Sequence, residues 1–236
     1  MAYVYTISSK PSLDTVYNIS KCRNIIVYVP GIKHPKFDLD YYKFIQTALP
    51  NNTAVILLDS YSAEETFLSL AARSFLSYSR ITDKVLKQSG KSESLLRTLL
   101  IMLARHTDED KQNITVLAHA EGTFVLSVAL RRIPTILAER VSVITLSSFI
   151  RTFACKLRSE LHIFCRKDRL AKALSYIFTP VTQKRKRSLS RHIITSTQTK
   201  SMYFYYFYLY PVLLSAIEDI NDNATRRQYR AYWIKH

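Results

Sequence analysis

Serine hydroxyls follow two apolar, β-branched runs of the sequence, at the points where buried strands would end. Ser60 comes just after Thr53–Leu58, and Ser147 and Ser148 come directly after Val141–Leu146. At the carboxyl edge of a parallel sheet such hydroxyls are placed to act as nucleophiles, provided that a neighbouring base takes the proton. None of the three has a sequence neighbour with the character of an activated base, and serine after a strand is commonly a helix cap.

Cysteine and acidic residues form no recognisable metal or cofactor motif. Cys22, Cys155 and Cys165 are few and lack zinc-type spacing, so we expect no disulfide framework and no metal site. Cys155 and Cys165 are better explained as packed thiols than as reactive thiolates. The acidic run at 108–110 does not suit a calcium loop, and neither a P-loop nor a dinucleotide fingerprint occurs. We therefore expect no cofactor.

Apolar strand-like segments alternate with amphipathic helical patterns along most of the chain. Compact β-branched runs predict buried strands, and apolar residues three or four apart predict helices between them. The predicted strands are Asn24–Val29, Thr53–Leu58, Ile114–Leu117, Val141–Leu146, Leu161–Cys165 and His192–Ser196. The predicted helices are Lys36–Leu49, Ser62–Lys87, Ser92–His106, Gly122–Arg132, Ser148–Leu157 and Ser201–Asp219. This alternation indicates an α/β fold, a three-layer sandwich whose mostly parallel central sheet has helices on both faces.

Two of the three glycines in the chain follow predicted strands, at strand-to-helix turns. Gly31 is one, and the other closes the sequence Ala118-His119-Ala120-Glu121-Gly122. This sequence resembles the nucleophile elbow of the α/β-hydrolase superfamily, in particular its small lipase-like members, in which the turn reads small-X-Ser-X-Gly. Ala118 stands at the first small residue, Gly122 at the glycine, and Ala120 at the nucleophile.

The resemblance implies roles for positions elsewhere in the chain. The loop with Gly31, Ile32 and His34 would supply half of the oxyanion hole and line the pocket, although His34 also suits a solvated loop. Ser60 and Ser147 are further pocket candidates at the same edge of the sheet.

The resemblance covers about residues 24–219, and with no linker or repeat in between it implies one domain over 1–236 without a large lid. The acid would be Asp168, just after the strand Leu161–Cys165. The catalytic histidine would be expected in the loop 197–201, between the last strand and the terminal helix.

Two of the three catalytic groups are missing. The methyl group of Ala120 cannot attack a carbonyl, and the loop 197–201 reads Thr-Gln-Thr-Lys-Ser without a histidine. The remnant acid Asp168 lies between two cations and equally suits an ion-paired loop, and His119 is expected to pack away from the reaction centre. We therefore expect a hydrolase scaffold without hydrolase catalysis, in which Ala120 keeps a tight turn with positive φ and Gly122 permits close helix packing.

Positive charge is concentrated in one segment of the chain. The formal net charge is +16, from 34 Lys and Arg against 18 Asp and Glu. Residues 151–200 contain thirteen of the cations and two of the acids, which gives 13 − 2 = +11. Within this segment a basic loop, about residues 179–191, carries the run Lys184, Arg185, Lys186 and Arg187. The run suits a solvated loop or contact with an acidic protein or an anionic lipid surface, whereas no motif for specific nucleic-acid readout accompanies it.

The first twenty residues lack the basic start, apolar centre and cleavage site of a signal peptide. The longest uncharged run, 201–217, contains a proline and many tyrosines and suits a buried helix better than a membrane span. We expect a cytoplasmic protein without a transmembrane span, open to peripheral membrane association. The predicted function is a catalytically inactive, hydrolase-like binding or interaction module with a basic surface. The alternative is a carboxylic-ester or lipid hydrolase whose nucleophile has moved to Ser60, Ser147 or Ser148.

Overall fold

Seven strands form one parallel sheet in the computed structural model of the chain. The structure describes residues 3–31, 49, 51–59, 71–72, 90–108, 111–146, 148–150, 153, 155–165, 173–174 and 191–195. The strands are β1 (Tyr3–Ile7), β2 (Asn24–Val29), β3 (Thr53–Leu58), β4 (Asn113–His119), β5 (Val141–Leu146), β6 (Ser159–Cys165) and β7 (Arg191–Thr195). Their spatial order is β1-β3-β2-β4-β5-β6-β7, and all six neighbouring pairs are parallel. The prediction of an α/β fold with a parallel sheet is confirmed.

Strand β4 lies at the centre of this sheet, between β2 and β5. Its first residue pairs with the first residue of β2, and Ala118 near its end is opposite Thr145 of β5. Every residue of β3 and β5 is buried, as are all but the first residues of β2 and β4. Because successive side chains of a strand point to opposite faces, these central strands are buried on both faces.

Four helices are described, and they contact one another beside the sheet. They are α1 (Leu13–Ile19), α2 (Lys91–His106), α3 (Gly122–Arg131) and α4 (Thr135–Ala138). Helix α2 contacts the other three, and α3 also contacts β2 and β4. All residues of α3 from Gly122 to Leu130 are buried, because this helix is enclosed by α2 and the centre of the sheet.

Side chains fix the starts of α1 and α2. Ser12 accepts a hydrogen bond from the backbone N–H of Thr15 at 3.1 Å, as an N-cap serine does. At α2 the N-cap is Gly90, whose N–H donates to Glu93 Oε2 at 2.8 Å. Acidic residues in these first turns, Asp14 and Glu93, also complement the helix dipole.

All six predicted strands agree with the structure to within two residues at either end, whereas two elements were missed and one predicted helix is wrong. The strand β1 and the helix α1 at the start of the chain were not predicted. The helix predicted over Ser148–Leu157 is wrong, because none of its described residues is helical. Ser148 Oγ instead donates to Ile150 O at 2.5 Å and accepts from Ile150 N at 3.1 Å, so a local side-chain turn replaces the helical hydrogen bonds.

The helices predicted over Lys36–Leu49, Ser62–Lys87 and Ser201–Asp219 lie outside the described residues, apart from Leu49 and the helical pair Ala71 and Ala72. Within the described part of the chain, no helix combines the length and apolar character needed to cross a bilayer.

Candidate functional site

The turn between β4 and α3 has an unusual backbone conformation. Ala120 follows the last residue of β4 and has φ 45°, in the left-handed region that L-residues seldom adopt. Among the described non-glycine residues only Asn52 shares this feature, with φ 67°. Glu121 returns to right-handed values, and α3 begins at Gly122. The positive φ expected at Ala120 is confirmed. We call residues Ala120–Gly122 the elbow.

Hydrogen bonds on both sides hold the elbow in place. The N–H of Ala120 donates to Leu146 O at 3.0 Å, which continues the ladder between β4 and β5. The carbonyl of Ala120 accepts from the backbone N–H of Thr123 at 3.1 Å and from its hydroxyl at 2.7 Å. The same hydroxyl accepts from the N–H of Phe149 at 3.2 Å. Thr123 therefore ties the elbow to the segment that follows β5.

Gly122 lies against the backbone at the end of β2. A Cβ at this position would collide with the carbonyl oxygen of Val29 and would come within 2.6 Å of the carbonyl oxygen of Pro30. These are backbone atoms that cannot rotate away, so only glycine fits without moving α3 from β2. The close helix packing expected at Gly122 is thus present.

The structure brings Gly31 into contact with the elbow. A Cβ built on Gly31 would collide with Glu121 Oε2 and would lie 3.7 Å from the Cβ of Ala120. Gly31 and Ala120 are buried, and Glu121 is half-buried. The carboxylate of Glu121 therefore lies directly over the glycine of the loop expected to help stabilise an oxyanion.

The other elbow residues, Ala118 and His119, occupy successive positions at the end of β4. Their side chains point to opposite faces of the sheet because they are strand neighbours. His119 is 4% exposed, which agrees with the packed role expected for it. Ser148 is fully buried, and its hydroxyl is engaged with Ile150.

The remaining candidate residues lie outside the described part of the chain. They are Ile32, His34, Ser60, Ser147, Asp168, Lys184, Arg185, Lys186, Arg187 and the loop 197–201.

A buried chain of a hydroxyl, an imidazole and a carboxylate joins β5 to β6, and sequence reasoning missed it. Thr145 Oγ1 lies 2.7 Å from His162 Nδ1, and His162 Nε2 lies 2.7 Å from Glu160 Oε1. Thr145 and His162 are fully buried, and the Glu160 side chain is 11% exposed. The cross-strand register places Thr145 opposite His162, and Glu160 shares a strand face with His162. We call these residues the buried polar chain.

The buried polar chain also holds the segment that follows β5. The N–H of Phe153 donates to Glu160 Oε1 at 3.1 Å, and the Phe153 ring stacks on His162 with centroids 6.0 Å apart. The sequence contained a signal for this arrangement, since Glu160 and His162 are polar residues two apart in a strand. Their partner Thr145 could be found only once the register was known.

Burial makes the described thiols poor nucleophiles. Burial, with a further contribution from the negative charge of Glu160, raises the pKa of the Cys155 thiol to about 12. Burial also raises the pKa of the Cys22 thiol. Both thiols are therefore protonated at neutral pH, as packed cysteines are. In the part of the chain that the structure describes, His, Cys, Asp and Glu side chains form no group of three or more that could hold a metal ion.

No protein-family model matches the chain, and no curated protein matches it either.

Proposed function

We propose that this protein is a catalytically inactive α/β-hydrolase-like protein that acts as a binding module through its basic surface. The observation that carries the proposal is Ala120, a residue with only a methyl group held at φ 45° between a central strand and a buried helix. A left-handed residue costs on the order of 1–3 kcal/mol. In the superfamily that cost is tolerated because the turn projects a nucleophile.

The surroundings of the elbow support the hydrolase-like part of the proposal. The elbow strand β4 is central, and its neighbour β2 leads into the loop that would supply part of the oxyanion hole. The contact of Gly31 with Ala120 and Glu121 joins these two loops at one edge of the sheet. The proposed three-layer arrangement, with helices on both faces, would complete this scaffold.

The inactive part of the proposal rests on two features of the elbow. Ala120 supplies no nucleophile, so no acyl-enzyme can form there. The carboxylate of Glu121 lies over Gly31, and a negative charge at that place disfavours a second negative charge on a reacting carbonyl oxygen. Hydrolases of this type place hydrogen-bond donors there instead.

The charge of the sequence supports the binding part of the proposal. With a net charge of +16, of which +11 falls in residues 151–200, the chain attracts anionic partners. An acidic protein or an anionic lipid surface fits this charge, and the run Lys184–Arg187 is the proposed contact. Binding to vesicles with and without phosphatidylserine distinguishes the two: a lipid contact retains the chain only on the anionic vesicles.

The loss of catalysis is tested with a serine-directed fluorophosphonate probe and a panel of short acyl esters. We expect the wild-type chain to be unlabelled and to turn over none of the esters. Ala120→Ser should fold and gain little activity, since the loop 197–201 offers no histidine to take the proton. A more demanding test combines Ala120→Ser with Thr199→His, because this double variant supplies both a nucleophile and a histidine in the loop 197–201.

Two results would overturn the proposal. Robust wild-type turnover that is lost on changing Ser60, Ser147 or Ser148 would identify a relocated nucleophile and a working hydrolase. Ser148 is poorly suited to this role, because it is buried and its hydroxyl donates a hydrogen bond to Ile150 O. Full esterase activity from Ala120→Ser alone would reveal a base elsewhere in the chain.

A further inference from the structure

The outer edge of strand β1 carries backbone groups that the sheet does not use. Among the described strands, β1 stands first in the spatial order and pairs with β3 alone. Ile7 O accepts a hydrogen bond from Asp59 N at 3.0 Å, so the backbone groups of Ile7 point to β3. Because these groups alternate in direction along a strand, those of Val4 and Thr6 point away from β3. We propose that this edge pairs with the same edge of a second copy of the chain.

The outward residues of two such edges match each other in an antiparallel pairing. A two-fold axis at Tyr5 places Val4 opposite Thr6 of the partner subunit, and residues opposite each other in this way exchange both N–H···O=C bonds. Tyr5 then faces Tyr5 of the partner subunit as a pair without hydrogen bonds. An interface of this kind uses the same surface on both copies, so it closes at a dimer.

The side chains of β1 suit a neighbouring strand. The strand reads Tyr-Val-Tyr-Thr-Ile, and aromatic and β-branched residues of this kind are the ones that favour sheets. Edge strands are commonly protected from pairing by lysine or proline, and β1 contains neither. The antiparallel pairing places Tyr3 opposite Ile7 of the partner subunit, an aromatic and β-branched pair that stabilises sheets.

Exposed apolar side chains are concentrated beside this edge. Tyr3, Leu13 and Tyr17 are 55%, 65% and 59% exposed, and in the rest of the described chain only Ile136 is a comparably exposed large hydrophobic residue. Leu13 and Tyr17 lie one turn apart on α1 and share a flank of that helix. Ile7 belongs to the same core cluster as α1, and Tyr3 lies on the same strand face as Ile7. A second copy joined at β1 would bring two such apolar flanks to the same side of one continuous sheet.

Charge favours a second copy over an anionic partner at this edge. The first twenty residues contain one cation, Lys10, and one acid, Asp14, so their side chains contribute 1 − 1 = 0 to a net charge of +16. An acidic protein or an anionic membrane would find little positive charge to neutralise there. Two copies of a basic protein, by contrast, repel each other least where they meet through a neutral segment.

Sedimentation velocity of the purified full chain tests the proposal at concentrations from about 1 to 300 μM and at about 0.15 M ionic strength, which screens the net charge. We expect a monomer at the lowest concentrations and a reversible dimer at the highest. A strand of five residues is about 17 Å long, which is short for a permanent interface.

A lysine placed on the edge should oppose the pairing. Tyr3→Lys should weaken dimerisation at least about tenfold, because each copy then carries a charge on an edge that was neutral. The matched control is Ile136→Lys, which changes an exposed apolar residue of α4 in the same way outside this edge. We expect the control to dimerise within about twofold of the wild type.

A second pair of variants tests the backbone groups. Thr6→Pro removes an outward N–H at an edge position, where proline is tolerated in sheets, and it should weaken dimerisation at least about tenfold. Thr6→Val keeps the N–H and should dimerise within about twofold of the wild type. If Thr6→Pro fails to fold, Tyr3→Lys still decides, because the Tyr3 side chain is exposed.

Amide hydrogen exchange followed by NMR identifies the paired edge. The N–H groups of Val4 and Thr6 should exchange slowly only at concentrations where the dimer forms, whereas that of Tyr5, which points to β3, should be protected throughout. Protection of the two outward amides in the monomer would overturn the proposal, because another part of the same chain would then cover the edge.

Three further results would also overturn the proposal. One is a chain that stays monomeric over the whole concentration range. Another is a dimer that Tyr3→Lys and Thr6→Pro leave unchanged, since it would form through a different surface. The third is a monomeric chain whose retention on phosphatidylserine vesicles is lost in Tyr3→Lys, which would assign the edge to a lipid surface. None of these results bears on the elbow, so the proposed loss of catalysis is tested separately.

Discussion

The elbow and the buried polar chain lie on neighbouring parts of the same sheet. The elbow lacks a reactive side chain, whereas the buried polar chain has the side chains but lacks access for a substrate. At the elbow the backbone of Ala120 has a left-handed conformation of the kind that projects a nucleophile in α/β-hydrolases, but the side chain is a methyl group. In the buried polar chain Thr145, His162 and Glu160 form a hydroxyl–imidazole–carboxylate contact with both distances at 2.7 Å, but the hydroxyl and the imidazole are fully buried.

The difference shows that residue types and hydrogen-bond distances do not define a catalytic site by themselves. A nucleophile needs a substrate within reach, and no substrate reaches the hydroxyl of Thr145 because this residue is fully buried. What the buried polar chain does is structural: it satisfies polar groups inside the core and holds Phe153 over β6.

Among changes in these two regions, Gly122→Ala in the elbow should have the largest effect on the free energy of unfolding. The added methyl group would collide with the backbone carbonyls of Val29 and Pro30, so α3 would have to move away from β2. We expect a loss of about 4 kcal/mol in the free energy of unfolding, or no folded protein, measured by urea denaturation. The control is Gly31→Ala, whose methyl group meets the Glu121 side chain, which can rotate, at a cost of about 1 kcal/mol. Equal costs would mean that the close approach of α3 is not what requires Gly122.

Removing hydrogen bonds of the buried polar chain should lower the free energy of unfolding somewhat less than Gly122→Ala does. His162→Leu leaves the Thr145 hydroxyl and the Glu160 carboxylate without their shared partner, and we expect a loss of about 3 kcal/mol in the free energy of unfolding. Thr145→Val should cost about 1–2 kcal/mol. The double variant should lose less than the sum, because both changes remove the same hydrogen bond. Additive losses would show that the two side chains do not interact.

A smaller change in the free energy of unfolding is expected for Ala120→Gly, and it measures the backbone strain at the elbow. Ala→Gly normally destabilises a buried position, so Ala129→Gly in α3 should cost about 2 kcal/mol through the lost methyl group and the added chain entropy. At Ala120 glycine also relieves the left-handed penalty of about 1–2 kcal/mol. Ala120→Gly should therefore cost less than 1 kcal/mol by chemical denaturation. Similar losses at the two positions would mean that Ala120 carries no strain.

The effect that is smallest at neutral pH concerns the thiol next to the buried polar chain, because it develops only in alkaline solution. Because the pKa of Cys155 rises from 9.0 to about 12 on folding, the folded state keeps a proton that the unfolded state releases. The stability from this group is complete below pH 9.0 and is lost as pH rises from there towards about 12. Relative to Cys155→Ala, the wild type should lose stability over this interval. In the folded protein, alkylation of Cys155 at pH 8 should be slow by mass spectrometry, and rapid alkylation would contradict the raised pKa.

The sequence was informative wherever a local pattern decided the structure. Strands β2, β3 and β5 are short runs rich in apolar and β-branched residues and were predicted with their observed bounds, because strands buried on both faces carry few polar side chains. The elbow was located because glycine is rare in this chain and Gly122 follows a strand.

The sequence was less informative where an edge or a side chain decided the structure. Among the described strands β1 pairs with β3 alone, and it is partly exposed, so it lacks the apolar run that marked the others. The hydroxyl of Ser148 forms hydrogen bonds with the backbone of Ile150, so a turn is present where a helix was predicted to begin. The buried polar chain depends on which residues face each other across β5 and β6, and that register is a property of the assembled sheet.

The central position of β4 has a consequence for how the chain is made. β2 pairs with β4, which begins at Asn113, and Gln112 closes the turns beside Ser20 and Cys22 across about ninety residues of sequence. A growing chain that has not reached Asn113 therefore has a β2 whose edge towards β4 is unpaired and whose contact with α3 has not formed. Contacts between residues so far apart form slowly and expose strand edges meanwhile. We expect the first half of the protein to remain unassembled during synthesis until the strand that leads to the elbow has emerged.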